Sequence, residues 1–307
     1  MQCTNANFGD SFIHIEKSLT IDTIPSGSGM AFLNDTIYIV GDDSPFLFLL
    51  SRDYEPYKKH LLIKGFSLTE RIPKAVKPDF EAIAEWQHDN DTFLLIFGSG
   101  SKPEKRDALV MVNIKNPENP EIFSLTKFYK YLMETSGIKR KHLNIEGAEV
   151  LNNKLYLFNR ATNQLIIIDI ENFMNYVRKR TKTPPPLTTH KIELPVMNGV
   201  HAGFSGATRI PGTTKIIFSA TLEDTRDWIS DGKILGSYIG IIDTRNPENV
   251  KNISLITRNG KSFQDKVESL AFEKFGQNGE VYILSVADND DGTSKLMELR
   301  LDRRFFE

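Results

Sequence analysis

An all-β fold, a five-bladed β-propeller of four-stranded antiparallel blades, is what three features of this chain predict. One short pattern, a hydroxyl or carboxylate followed by small and apolar residues, occurs five times: Ser28-Gly29-Met30-Ala31, Glu81-Ala82-Ile83-Ala84, Glu146-Gly147-Ala148, Ser205-Gly206-Ala207 and Glu268-Ser269-Leu270-Ala271. The lead residues stand 53 to 65 positions apart, the length of one blade in a repeat architecture. Apolar runs of strand length follow each lead, rich in Ile, Val, Phe and Tyr and bounded by Gly, Asn, Asp and Pro, as buried antiparallel strands are.

The second runs are 37–43, 93–101, 155–161, 216–224 and 281–290, each ending in a polar loop. Third runs are 46–50, 108–114, 164–170, 237–243 and 295–301, and fourth runs 58–63, 121–125, 190–194 and 252–256 complete four units. The fifth unit lacks a fourth run, and residues 12–21 belong to no other unit, so this N-terminal strand is expected to close the last blade. Radial repetition of this kind hides the edges of each blade against its neighbours. The expectation is one domain over 1–307, with blades at about 28–64, 80–126, 145–194, 204–256 and 267–301 plus 12–21. Two insertions read as short helices: 125–136, with Phe128, Tyr131 and Leu132 at helical spacing before Gly137, and 171–182, ended by the prolines at 184–186. Both are expected to cover blade edges.

Composition narrows the function classes. The 307 residues are 40% hydrophobic and 25% charged, ordinary for a soluble globular chain. A net charge of −2 gives no electrostatic reason for nucleic acid or an anionic membrane as partner, and the basic stretch 139–142 reads as a solvated loop. No apolar run reaches the roughly 20 residues of a membrane span. With one cysteine, Cys3, no internal disulfide can form, so the compartment stays open. No basic-then-apolar leader opens the chain; a leader removed before residue 1 would make Cys3 a candidate lipid anchor. A soluble monomer is expected.

The five leads begin the innermost strands, so Ser28, Glu81, Glu146, Ser205 and Glu268 are expected to point toward the axis. Three carboxylates converging there would repel one another and raise at least one pKa unless a cation neutralised them. An all-oxygen set favours calcium, which tolerates six to eight ligands and irregular geometry. The competing structural reading has each lead hydrogen-bonding the backbone of a neighbouring blade. The loops between second and third strands crowd the same face and supply Asp42, Asp43, Lys102, Lys105, Arg106, Arg160, Glu223, Asp224, Asp288, Asp290 and Asp291. Mixed acid and base beside a metal suits hydrolysis: an aspartate removes a proton and a basic side chain neutralises developing charge. Asp42, Asp43, Arg160 and Glu223 are the candidate catalytic residues; Lys102, Arg106, Asp224, Asp288 and Asp290 are candidates for binding a small polar or phosphorylated molecule.

The order Ser, Glu, Glu, Ser, Glu over five repeats resembles the soluble calcium-activated nucleotidases, the apyrase family of five-bladed propellers with an axial calcium held by such a ring. Residues 28–44 are similar to that family's first blade, with Ser-Gly, a strand and an Asp-Asp loop; 201–224 are similar to its fourth; 155–162 sit where it has an arginine-bearing loop. The resemblance implies a calcium-dependent hydrolase of phosphoanhydrides or phosphoesters and falls on Asp43 and Arg160. The chain departs from the family in having Asn159-Arg160 where the family has two arginines, and in lacking Arg-Thr-Gly after Asp42-Asp43. Much the same leads resemble bacterial propellers related to the phytase-like esterase group, and a non-catalytic propeller with a structural calcium that binds a small polar ligand or a protein is the alternative.

Other signals fail on context. Residues 202–207 fall one residue short of a Gly-x-Ser-x-Gly elbow and lead into a strand where the elbow demands a helix. Residues 287–298 resemble an EF-hand loop but begin with Ala287. No Walker loop, dinucleotide fingerprint or zinc spacing occurs, and the six histidines are scattered.

Overall fold

The computed structural model describes residues 12–66, 71–225, 232–250, 252–289 and 291–307. Cys3 and Asp290 lie outside them. Five four-stranded antiparallel sheets carry the fold. Blade one runs Gly27–Leu33, Thr36–Gly41, Phe46–Ser51 and Pro56–Leu61, and blade two Phe80–His88, Asp91–Gly98, Ala108–Asn113 and Glu121–Ser124. Blade three is Ile145–Leu151, Lys154–Asn159, Gln164–Asp169 and Leu187–Lys191, and blade four Gly203–Arg209, Lys215–Asp224, Lys233–Asp243 and Ile253–Leu255. Blade five takes Lys266–Phe275, Val281–Asp288 and Ser294–Leu301 from the C-terminal end and its outer strand, Ile13–Ile21, from the N-terminal end. That strand pairs antiparallel with Ser294–Leu301, as expected, from Ile13 opposite Leu301 to Ile21 opposite Ser294.

The apolar runs are continuous because each middle strand is buried on both faces. Ile37 and Ile39 face blade five, whereas Tyr38 and Val40, one residue on, face blade two, as the two-residue period of a strand requires. Five hydrophobic clusters result, one at each of the five blade junctions, so the ring is closed by packing all the way round. The junction between blades two and three also takes in both helices, Thr126–Ser136 and Ile170–Val177. Gly137 ends the first in the left-handed region at φ 72°, where glycine meets no Cβ penalty. Asp169 caps the second by accepting the Asn172 N–H. The second helix stops at Val177, well before the prolines; Lys179, at φ 59°, has already turned the chain. In the first helix Phe128 and Leu132 pack inward as expected, but the tyrosine that joins them is Tyr129 rather than Tyr131, and the Tyr129 hydroxyl donates to the Gly98 carbonyl at 2.7 Å. Among the described residues no helix is long and apolar enough to cross a membrane.

The small residues after each lead have a packing cause. A Cβ on Gly206 would lie 2.8 Å from Ser269 Cα and 2.9 Å from the Glu268 carbonyl oxygen, backbone atoms of the next inner strand. The nearest atom to a Cβ on Gly147 would be at 3.3 Å. Gly206→Ala is therefore expected to destabilise by about 1–3 kcal/mol, an overpacking cost, and Gly147→Ala by less. Equal melting temperatures for the two variants would overturn this account of the axis.

Candidate functional site at the channel mouth

Each inner strand carries a β-bulge, and all five leads sit in one. The ladder steps from Gly27 to Gly29, Phe80 to Ala82, Ile145 to Gly147, Phe204 to Gly206 and Val267 to Ser269, leaving Ser28, Glu81, Glu146, Ser205 and Glu268 unpaired. A bulge re-aims the side chain of the extra residue, which is why a hydroxyl or carboxylate recurs there. Bonding to the neighbouring blade's backbone falls to other side chains further down the strands. Met30 N–H donates to Ser269 Oγ at 3.0 Å, Phe272 N–H to Thr208 Oγ1 at 2.9 Å and Arg209 N–H to Glu149 Oε2 at 2.7 Å.

Ser28, Glu81, Glu146 and Glu268 line one cavity of about 450 Å³ at the channel mouth, together with Asp42, Asp43, Arg71, Lys74, Lys77, Lys266 and Asp288. Ser205 does not reach it. Its hydroxyl donates to Ser219 Oγ and accepts from Thr221 Oγ1, both at 3.1 Å. Ser28 Oγ donates to the Ser26 carbonyl at 2.8 Å.

Much of the repulsion expected among the carboxylates is met by the chain's own cations. Arg160, buried, lies 3.5 Å from Glu146, 2.6 Å from Glu223 and 4.0 Å from Glu268. Lys266 Nζ is 2.8 Å from Glu268 Oε1. Burial works against both cations, but the surrounding carboxylates outweigh it and hold both pKa values above the ordinary. Glu146 also accepts from Asn144 Nδ2 at 2.5 Å. Burial still pushes its carboxyl up to about 7, with Arg160 pulling the other way.

On the side of blades one and two the neutralisation is incomplete. Asp42, Asp79 and Glu81 offer oxygens within 4.8 Å of one another, with Lys77 bonded to Asp42 and 3.0 Å from Asp79. Ser99 Oγ and Arg106 Nη1 donate to the far side of Asp79, at 2.5 and 2.6 Å. Burial, then the charges of Glu146, Asp79 and Asp42, raise the Glu81 pKa well above the usual range, and burial raises that of Asp42. Buried oxygens without a hydrogen-bond partner among the described residues include Asp42 Oδ1, Asp43 Oδ1 and Glu268 Oε2.

A family of unknown function, DUF6929, matches the chain over residues 23–301. The chain belongs to that family. No curated protein matches it in sequence. Among solved structures, glutaminyl cyclase from Myxococcus xanthus superposes with a TM-score of 0.52 at 13% identity, over 94% of this chain and 96% of that one. An endo-arabinase from Bacteroides thetaiotaomicron superposes with a TM-score of 0.50 at 12% identity, over 91% of this chain and 95% of that one. At such identities the likeness concerns the propeller fold alone.

The remaining sequence candidates of this DUF6929 chain separate by position. Asp43 lines the mouth and accepts from Arg71 Nε at 2.8 Å; Asp288 lines it too. Arg106 stands behind Asp79, and Lys102 is not among the cavity-lining residues. Glu223 is held by Arg160 and by the Gly232 N–H at 2.9 Å, while the exposed Asp224 faces a separate groove between blades three and four. Sequence reasoning passed over Lys77, Asp79, Lys266 and Arg71. The signal for two of them was nearness in the chain alone: Asp79 and Lys266 each stand two residues before a lead, Lys266 on the same strand and Asp79 just before it.

Proposed function

We propose that the chain binds a divalent cation at the channel mouth, calcium by the all-oxygen chemistry, and there hydrolyses a small phosphorylated molecule. The observation that carries this reading is the charge of the cavity wall. Among the described residues, six carboxylates (Asp42, Asp43, Glu81, Glu146, Glu268 and Asp288) face four cations (Arg71, Lys74, Lys77 and Lys266), a formal deficit that one divalent ion would cancel. The oxygens of Asp42, Asp79 and Glu81, clustered within 4.8 Å, fit such an ion better than the full ring of five, since the Ser205 hydroxyl is engaged elsewhere. Bound calcium would supply positive charge for a phosphoryl oxygen. Asp43, with one oxygen on Arg71 and the other unpartnered, is suited to accept a proton from water. Lys74, exposed at the rim, adds charge that an incoming phosphate would meet. Arg160 holds carboxylates in place here rather than touching the ligand. The resemblance to the calcium-activated nucleotidases favours phosphoanhydrides as substrates.

One observation favours the second reading, a non-catalytic propeller whose mouth is a structural plug: Arg160 and Lys266 already bridge Glu146, Glu223 and Glu268. Metal analysis with phosphate release from nucleotides and phosphoesters separates the two. The pH dependence of stability tests the ion itself. The Glu146 pKa is about 7 in the fold against 4.5 for an ordinary glutamate, so between those values the native state keeps a proton that the unfolded state has lost. Its contribution to stability is therefore complete below the unfolded value and lost as pH rises through the folded one, at about 1.4 kcal/mol per pH unit. Glu81 acts in the same direction. Without metal the melting temperature should fall from pH 5 to pH 8. Saturating calcium, which needs these carboxylates ionised, should raise the melting temperature most at pH 8, and Glu81→Gln should abolish most of that rise while Ser28→Ala leaves it. No calcium-induced shift at pH 8, with no metal found by elemental analysis, would overturn the proposal.

A further inference from the structure

Between blades three and four, beside the mouth, lies a second and larger cavity, a groove of about 720 Å³. Its walls are the loop after the second strand of blade three, the end of the first helix at Gly137, the hairpin Val196–Met197 and Val200–His201, and the end of the second strand of blade four. Its volume falls within the usual range of small-molecule sites. Its chemistry is the reverse of that at the mouth. There most charged groups are tied to one another, whereas here Asp224, Lys191 and His201 are exposed, and none makes a side-chain hydrogen bond or ion pair among the described residues. Glu223 on the same wall is already satisfied by Arg160 and Gly232.

We infer that this groove is a binding site for a small zwitterion, a free amino acid or short peptide. Among the described residues, one uncommitted carboxylate, Asp224, and one uncommitted ammonium, Lys191, face the same space, so a ligand carrying one charge of each sign is matched by them and a singly charged one is not. His142 and His201 add ring nitrogens able to bond a peptide amide. Among the described residues the groove's lining includes no aromatic side chain other than these imidazoles. The inference does not depend on calcium at the mouth, because no residue of the proposed ion cluster lines the groove.

Calorimetric titration of the full chain with glycine, diglycine and triglycine, each raised to about 10 mM, is the test. At least one should bind, and N-acetylation or C-terminal amidation of that ligand should each weaken it about tenfold, the worth of one charged contact. Asp224→Asn should weaken the free ligand by the same factor and leave the N-acetylated form unchanged; Lys191→Gln should behave likewise toward the free and amidated forms. Both side chains are exposed, so the melting temperature should not move. Absence of binding by all three ligands, or binding indifferent to Asp224→Asn, would overturn the inference.

Discussion

Arg160→Met is expected to lower the stability of the fold by about 3–5 kcal/mol, the range for removing one partner of a buried ionic network. The guanidinium lies among Glu146, Glu223 and Glu268, all with side chains at most one-tenth exposed. Its loss leaves Lys266 as the one cation within 4 Å of both Glu223 and Glu268 among the described residues. The apolar stem of methionine keeps most of the volume, so the loss is electrostatic rather than a cavity. Two companion measurements give the prediction its specificity. At pH 5, where the Glu146 carboxyl holds its proton, the deficit should shrink. The added negative charge should also tighten calcium binding at the mouth, opposite in sign to a generally damaged fold. A variant within about 1 kcal/mol of the parent at pH 8 would show that Arg160 is not what neutralises the axis.

The equivalence of the five leads was legible because it is written twice, in the residue type and in the small residue that follows. The structure supplies the cause, a bulge at every lead and inner strands too close for a side chain at Gly206. Closure by residues 12–21 was legible by elimination. Which carboxylate meets which cation was not, since Arg160 and Glu223 come from different blades and Lys266 from a third. Single-sequence reasoning could see that cations were needed but looked for a metal, because Lys266, two residues before a lead, reads as an ordinary polar strand residue. Outer strands were the least legible elements. Residues 190–194 were expected as the fourth strand of blade three, yet it is Leu187–Lys191, starting directly after the prolines. No residue of this outer strand is fully buried, so its register has little hydrophobic pattern to fix it.

Deleting residues 1–22 is expected to abolish soluble, cooperative folding. The lost strand pairs with Ser294–Leu301 over most of its length, and Ile13 and Ile21 are buried at two different blade junctions, with blades four and one respectively. Its neighbour Phe12 adds a carbonyl that accepts the Asp302 N–H at 2.8 Å and a ring 6.3 Å from that of Phe305. Losing burial of the two isoleucines alone costs about 3–6 kcal/mol, comparable to the whole net stability of many domains. The exposed Ser294–Leu301 edge would then offer unpaired backbone groups to other chains. Because an insoluble truncation has many causes, two intact-chain variants carry the argument further. Ile13→Ala and Ile21→Ala should each destabilise by about 2–5 kcal/mol, while Leu19→Ala, at a side chain 41% exposed on the same strand, should change stability by less than about 1 kcal/mol. A truncation that stays soluble and unfolds at the parent's midpoint, or three variants with equal effects, would show that the ring does not need its N-terminal strand.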